Sequence, residues 1–323
     1  MSIDKISRIP PGSQDLLAGD VRRRRQAQGA WFALAEARGY EEVIPPTFEY
    51  EEVFTLGAGP DLASRLLRFV DQDGRLVALR ADFTSSIARM AATKLATNPL
   101  PLRLSYAGKV YRQTYEGGGE RRELFQLGAE MIGDDSAKAD VEVLRLVIET
   151  FRALKIDDFQ INLGEIRYIQ PLLSELTPEL AEAAREAIDR RDRATLNALT
   201  RQIELPVGAA EVLRQLPELI GRSEILTRAA TLAISNDARA AITRLQEIDA
   251  LLTAEERGRI VYDLAEIRGL GYYTGMRFEV FVSGVGRSVG SGGRYDQLLK
   301  LYGLDRPAVG VALETDILAE LLA

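Results

Sequence analysis

Apolar residues recur along this chain with two periods, and the switch between them marks out its elements. Val141, Leu144, Val147, Ile148, Phe151 and Leu154 fall at i, i+3, i+4 spacing, which predicts an amphipathic helix starting at Asp135 or Ser136. Just before it, residues 106–133 (YAGKVYRQTYEGGGERRELFQLGAEMIG) read as two β-runs joined by a polar, glycine-rich loop. Strand side chains switch sides at every residue. Tyr106, Val110 and Arg112 therefore alternate with small or polar neighbours on the first run. Leu124, Gln126, Gly128 and Glu130 share one face of the second, with Leu127, Ala129 and Met131 behind them in the core.

The flanking chain divides in the same way. Pro10, Pro11 and Gly12 make residues 1–19 an irregular lead-in, followed by a helix from about Asp20 to Arg38. Asp20 is its expected N-cap, Trp31, Leu34 and Ala35 lie at helical spacing, and Gly39 ends it. An apolar strand at 40–45 closes on Pro46, which suits a sheet edge. Residues 66–70 and 76–80 read as a hairpin turning at Asp73-Gly74, and a helix then runs from Asp82 to Ala92 with Asp82 or Thr84 near its cap. Residues 159–164 alternate like a strand. From Tyr168 to about Glu256 the chain is rich in Ala, Leu, Glu and Arg, and proline or glycine at 171, 178, 206, 208, 217 and 221 cuts it into short helices. Strands return at 260–264, 278–283, 287–289 and 309–313, with a glycine turn at 291–296 leading into a helix, and a terminal helix closes the chain. Strands come in adjacent runs without βαβ alternation, so the expected fold is α+β with a largely antiparallel sheet.

Composition narrows the chemistry. A length of 323 residues suggests about two folded units. Cysteine and histidine are both absent, which removes disulfides, thiolate or imidazole metal sites, cysteine nucleophiles and every His-based acid–base pair. The formal charge of −7, with no long basic tract, argues against tRNA as a partner. Arg22 to Arg25 point around most of their helix, which reads as a solvated surface, with a partner-facing patch as the alternative. No apolar run reaches the roughly 18 residues needed to span a bilayer, and the proline-broken start is unlike a signal peptide. The expected compartment is the cytoplasm.

On the central strand pair, Arg112, Gln126 and Glu130 offer a cation, an amide and a carboxylate. That set suits a small zwitterion, although alternating polar residues also make an ordinary solvated sheet face. The segment ending in FQLGAEMIG resembles motif 2 of class II aminoacyl-tRNA synthetases in its histidyl version. LRADFTSSIAR at 79–89 resembles the family's LRPEGT-type segment, and RGLGYYTGMRFE at 268–279 its RGLDYY-type histidine motif. GSGGRYDQLL followed by PAVGVAL resembles the approach to motif 3, and residues 40–45 resemble motif 1, through which class II enzymes dimerise. The match covers about two thirds of the chain. It implies a synthetase-like core in two parts, 1–167 and 257–323, interrupted by a helical insertion at 168–256. The sequence stops at Ala323, where a synthetase continues into an anticodon-binding domain. A synthetase-like body of this kind resembles the regulatory subunits of ATP phosphoribosyltransferase.

The resemblance also assigns expected roles. Asp82 and Thr84 stand where the family holds the α-amino group of histidine, and Gln126 adds a hydrogen bond. Arg268, with Arg112, faces the carboxylate, while Glu130 and Tyr273 match the positions that hold the imidazole, with Tyr272 beside them. Several positions depart from the pattern. Asp82 replaces a longer Glu, Phe83 a glycine, and Gly271 an Asp. Ile317 stands where motif 3 carries the arginine that clamps ATP phosphates, and Glu116 and Glu120 in the motif 2 loop oppose a triphosphate, partly offset by Arg121 and Arg122. The implied protein has no catalytic residue, metal or cofactor. It binds free histidine, pairs with itself, and joins the short-form catalytic ATP phosphoribosyltransferase subunit in a hetero-octamer. An active histidine-adenylating enzyme and a dimeric scaffold with a vestigial pocket remain the alternatives.

Overall fold

The computed structural model describes residues 8–57, 59–113, 121–202, 205–266 and 271–322. Its strands, in chain order, are β1 (Glu41–Glu42), β2 (Phe48–Tyr50), β3 (Arg68–Val70), β4 (Leu76–Leu79), β5 (Leu102–Tyr111), β6 (Glu123–Ile132), β7 (Phe159–Glu165), β8 (Ile220–Gly221), β9 (Ile260–Asp263), β10 (Met276–Val282), β11 (Gly290–Arg294) and β12 (Ala308–Glu314). Nine of them form one sheet in the order β1-β5-β6-β12-β11-β10-β7-β9-β8, and β2-β4-β3 form a small second sheet. Among the described residues, only the β1–β5 and β7–β9 pairs are parallel. The fold is α+β around a largely antiparallel sheet, as the strand runs imply.

The hairpin β5–β6 sits inside the large sheet, and its two faces do different work. Leu127, Ala129 and Met131 join the main core with Trp31 of the helix Ala18–Glu36 and with Val141, Leu144, Val147, Ile148 and Phe151 of the helix Ala137–Ala153. Each Val, Leu, Ile, Met or Phe among them contributes about 1.5–3 kcal/mol when fully buried. The opposite face carries Tyr106, Val110, Leu124 and Ile132 against Phe83, Ile87, Ala88 and Ala91, at and within the helix Thr84–Lys94. Ser136 caps the helix Ala137–Ala153 by accepting the Ala139 amide at 3.3 Å. The helix and strand expected on either side of residue 133 are thus in place.

Four expectations need correction. Asp20 is not the N-cap of the first helix. The cap is Leu17, and the Asp20 carboxylate sits within the first turn, accepting the Leu17 amide at 2.9 Å. It still satisfies an end donor, from the inside. The four arginines that follow are not one solvated surface either. Arg22 and Arg25 are exposed, whereas Arg24 pairs with Asp316 and lies 4.6 Å above the Phe125 ring. That ties the first helix to the last one, Thr315–Leu321.

The third correction concerns residues 287–296. The strand is the glycine-rich segment Gly290–Arg294, not 287–289, and it lies between β10 and β12 in the middle of the sheet. Glycine is a poor strand former, but a Cβ on Gly292 would stand 2.4 Å from the Gly310 carbonyl oxygen. Close backbone approach, not turn formation, is what glycine supplies here. Fourth, the region 168–256 is not purely helical. Its helices include Pro178–Asp189 and Asn236–Leu251, and β8 within it pairs with β9 to extend the large sheet. Leu196, Leu213, Ile242 and Leu245 of this region share one continuous core with Ile161 and Phe278 of the sheet.

Candidate functional site

Seven of the eight expected site residues converge. Asp82, Thr84, Arg112, Gln126, Glu130, Tyr272 and Tyr273 line one cavity of about 40 Å³ on the face of the sheet opposite the main core. The eighth, Arg268, lies outside the described residues, as do Glu116 and Glu120. Phe83, Tyr106, Ser291, Tyr295 and residues 310–312 complete the lining.

Glu130 is the centre of the arrangement. Its position on β6 pairs with Gly310 on β12, and a Cβ at 310 would stand 1.6 Å from Glu130 Oε2. The carboxyl group therefore lies across a strand that must be glycine at that point. Thr84 Oγ1 donates to Oε1 at 2.9 Å, the Tyr106 hydroxyl donates to Oε1 at 3.4 Å, and the Tyr295 hydroxyl donates to Oε2. Burial is nearly complete and pushes the Glu130 pKa up to about 8, with the Asp82 charge adding to the rise while the hydroxyls of Tyr295 and Thr84 oppose it. Burial thus favours the protonated carboxyl over the charged one, against the three hydroxyl donors.

The other polar groups surround this carboxyl. Asp82 Oδ1 accepts the Ser85 amide at 3.1 Å, and burial raises its pKa against the pull of that bond and of the Arg112 charge. Arg112, just beyond the end of β5, is held by its Nε donating to the Ala81 carbonyl at 2.9 Å. Gln126 is buried, and its Oε1 has no hydrogen-bond partner among the described residues. Such an orphan costs about 1–3 kcal/mol unless a ligand or water satisfies it. The Tyr272 and Tyr273 rings lie 4.9 Å apart, and burial pushes the Tyr273 hydroxyl up to about 12. Acceptors for an ammonium, a guanidinium for a carboxylate and a buried carboxyl for a ring N–H thus share one enclosure.

Tyr106 and Tyr295 were not singled out as site residues from the sequence. Tyr106 reads there only as a member of an alternating run, and Tyr295 sits in a segment that reads as a turn. The available signal was the register: Tyr106 falls on the same face of the hairpin as Glu130, and Tyr295 directly follows Arg294 at the end of β11, whose position pairs with Val309.

A wider cleft of about 700 Å³ adjoins this cavity, sharing Arg112 and lined also by Arg65, Arg121, Arg287, Glu314, Ile317 and Glu320. Ile317 is buried and offers no charge. Carboxylates already engage two of the arginines. Arg287 pairs with Glu314 at 2.7 Å, and Arg121 with Glu320 at 2.5 Å and Asp316 at 3.5 Å. A triphosphate entering here must displace acidic side chains from their own partners.

Comparison with known proteins gives the family and the fold. The histidyl-tRNA synthetase family model matches residues 12–318. An ATP phosphoribosyltransferase regulatory subunit of Syntrophotalea carbinolica is 36% identical over 310 residues, covering 94% of this chain and 72% of the relative. The chain belongs to this family of regulatory subunits. Another member, from Carboxydothermus hydrogenoformans, is 32% identical over 322 residues and covers 99% of this chain and 98% of its own length. The solved structure described as an ATP phosphoribosyltransferase regulatory subunit/histidyl-tRNA synthetase from Bacillus halodurans C superposes with a TM-score of 0.89 at 28% identity, covering 98% of this chain and 84% of that one. The family thus joins the regulatory-subunit sequences to a histidyl-tRNA synthetase fold. No helix among the described residues is long and apolar enough to cross a membrane.

Proposed function

We propose that this chain is a non-catalytic regulatory subunit of ATP phosphoribosyltransferase, required for the first step of histidine biosynthesis and for its feedback control by histidine. It works in the cytoplasm as a self-dimer assembled with the short-form catalytic subunit into a hetero-octamer, without tRNA. Residues 1–167 and 257–323 form its synthetase-like core, and 168–256 a mainly helical insertion that adds β8 to the sheet. The Glu130 cavity binds free histidine: Asp82, Thr84 and Gln126 take the ammonium, Arg112 and Arg268 the carboxylate, and Glu130, Tyr272 and Tyr273 the imidazole. Feedback control then requires histidine to bind two states of the assembly unequally, typically by 1–3 kcal/mol.

The observation that carries this reading is the contrast between neighbouring sites. The amino-acid cavity keeps a buried carboxyl, three hydroxyl donors and an amide oxygen with no partner among the described residues. The adjoining cleft has Ile317 in place of a cation, and carboxylates on Arg121 and Arg287. ATP–pyrophosphate exchange tests it: the isolated chain gives no histidine-dependent exchange. Sustained exchange above the no-enzyme level overturns the non-catalytic assignment.

A further inference from the structure

We propose that Phe83 determines which ligands the Glu130 cavity accepts, because its ring fills the space that a ligand's ring must take. This deepens the reading of the cavity as a histidine site and rests on it. The cavity has room for about 40 Å³ as it stands, whereas an apolar cavity that admits benzene measures about 150 Å³. The side chains as placed leave less room than a benzene-sized ring takes, so a ligand's ring enters as a lining ring gives way.

Phe83 is the ring so placed. It lies in the chain between Asp82 and Thr84, both site residues, and is 1% exposed. Its ring stacks on Tyr106 with centroids 4.2 Å apart and planes 12° from parallel. The Arg80 guanidinium covers the ring at 4.2 Å. Arg80 is itself locked, donating to the carbonyls of Lys109 at 2.8 Å, Pro45 at 2.8 Å and Pro46 at 3.2 Å. Tyr106, which contacts Phe83, also hydrogen-bonds Glu130, so the stack and the carboxyl belong to one site. A rigid cation and a rigid aromatic thus bound a slot for a flat ring, and the protein fills that slot with its own. Losing one aromatic stack and one cation–π contact lowers a ligand's affinity by about tenfold or more.

The test is calorimetric titration of the full chain with histidine and, separately, with imidazole. Wild type, Phe83→Ala and the milder Phe83→Leu are compared, each checked for folding by circular dichroism. The expected result is that Phe83→Ala binds both probes at least tenfold more tightly than wild type, with Phe83→Leu between them. If Phe83→Ala does not fold, Phe83→Leu carries the comparison, with a gain of at least threefold expected. Histidine binding that is equal in wild type and variants makes Phe83 ordinary core and overturns the proposal, while leaving the histidine reading intact. A gain for imidazole alone, with no histidine bound by any variant, upholds the role of Phe83 and defeats the histidine reading. No binding of either probe to the folded variants overturns the proposal.

Discussion

Replacing Glu130 by glutamine should change how stability depends on pH, and the direction follows from the site. Burial raises the Glu130 pKa from 4.5 to about 8, so the native state keeps a proton that the unfolded chain releases. Between those values the folded protein binds more protons than the unfolded one, and stability falls as pH rises. The contribution is fully present below 4.5 and is lost as pH passes through about 8. At about 1.4 kcal/mol per pH unit, it amounts to as much as about 5 kcal/mol across that window. Glu130→Gln keeps the size and one acceptor oxygen, enough for Thr84 or Tyr295 but not both, and cannot ionise. Urea denaturation of both proteins at pH 5, 6.5 and 8.5 should show similar stabilities at pH 5. By pH 8.5 the variant should be the more stable by several kcal/mol. A difference that stays constant from pH 5 to 8.5 would show that Glu130 titrates as an ordinary carboxylate, and the argument from burial would fail.

Other consequences follow from single contacts. Gly310→Ala puts a methyl group 1.6 Å from Glu130 Oε2 and should cost about 2–3 kcal/mol in thermal or chemical denaturation. Arg24→Ala removes the nearer of two arginine partners of the buried Asp316 and should cost about 1–3 kcal/mol, whereas Arg25→Ala, on the exposed side, should stay within about 0.5 kcal/mol. Tyr295→Phe deletes one hydroxyl donor to Glu130, so the folded variant should lose about 0.5–2 kcal/mol of stability above pH 8, where the carboxyl is charged. Glu130→Ala should weaken the response to histidine while leaving the self-dimer intact by size-exclusion chromatography; an unchanged inhibition curve would count against sensing in this cavity.

Local patterns carried much of this architecture. The stripe from Val141 to Phe151 and the Ser136 cap are short-range signals that any context would preserve. The alternation around Glu130 likewise placed Leu127, Ala129 and Met131 in the core and Gln126 and Glu130 on the opposite face. What was hidden depended on distant partners. Gly290–Arg294 is a strand because β10 and β12 lie on either side of it, a fact absent from its own composition. Arg24 looks like its three neighbours in sequence, and only Phe125 and Asp316 distinguish it. The same holds for Tyr106, on β5 beside β6, and Tyr295, just past the end of β11 beside β12, which reach one carboxyl group. The motif resemblance brought the site residues together from separated segments, but not the closure of the cavity by Phe83, which is a matter of packing.

The most direct test of the whole account is reconstitution with a short-form catalytic ATP phosphoribosyltransferase subunit. The two chains, coexpressed and purified through a tag on one, should elute as a single complex whose activity needs this chain and falls as histidine is added. Separate elution, with catalytic activity indifferent to both this chain and histidine, would contradict it.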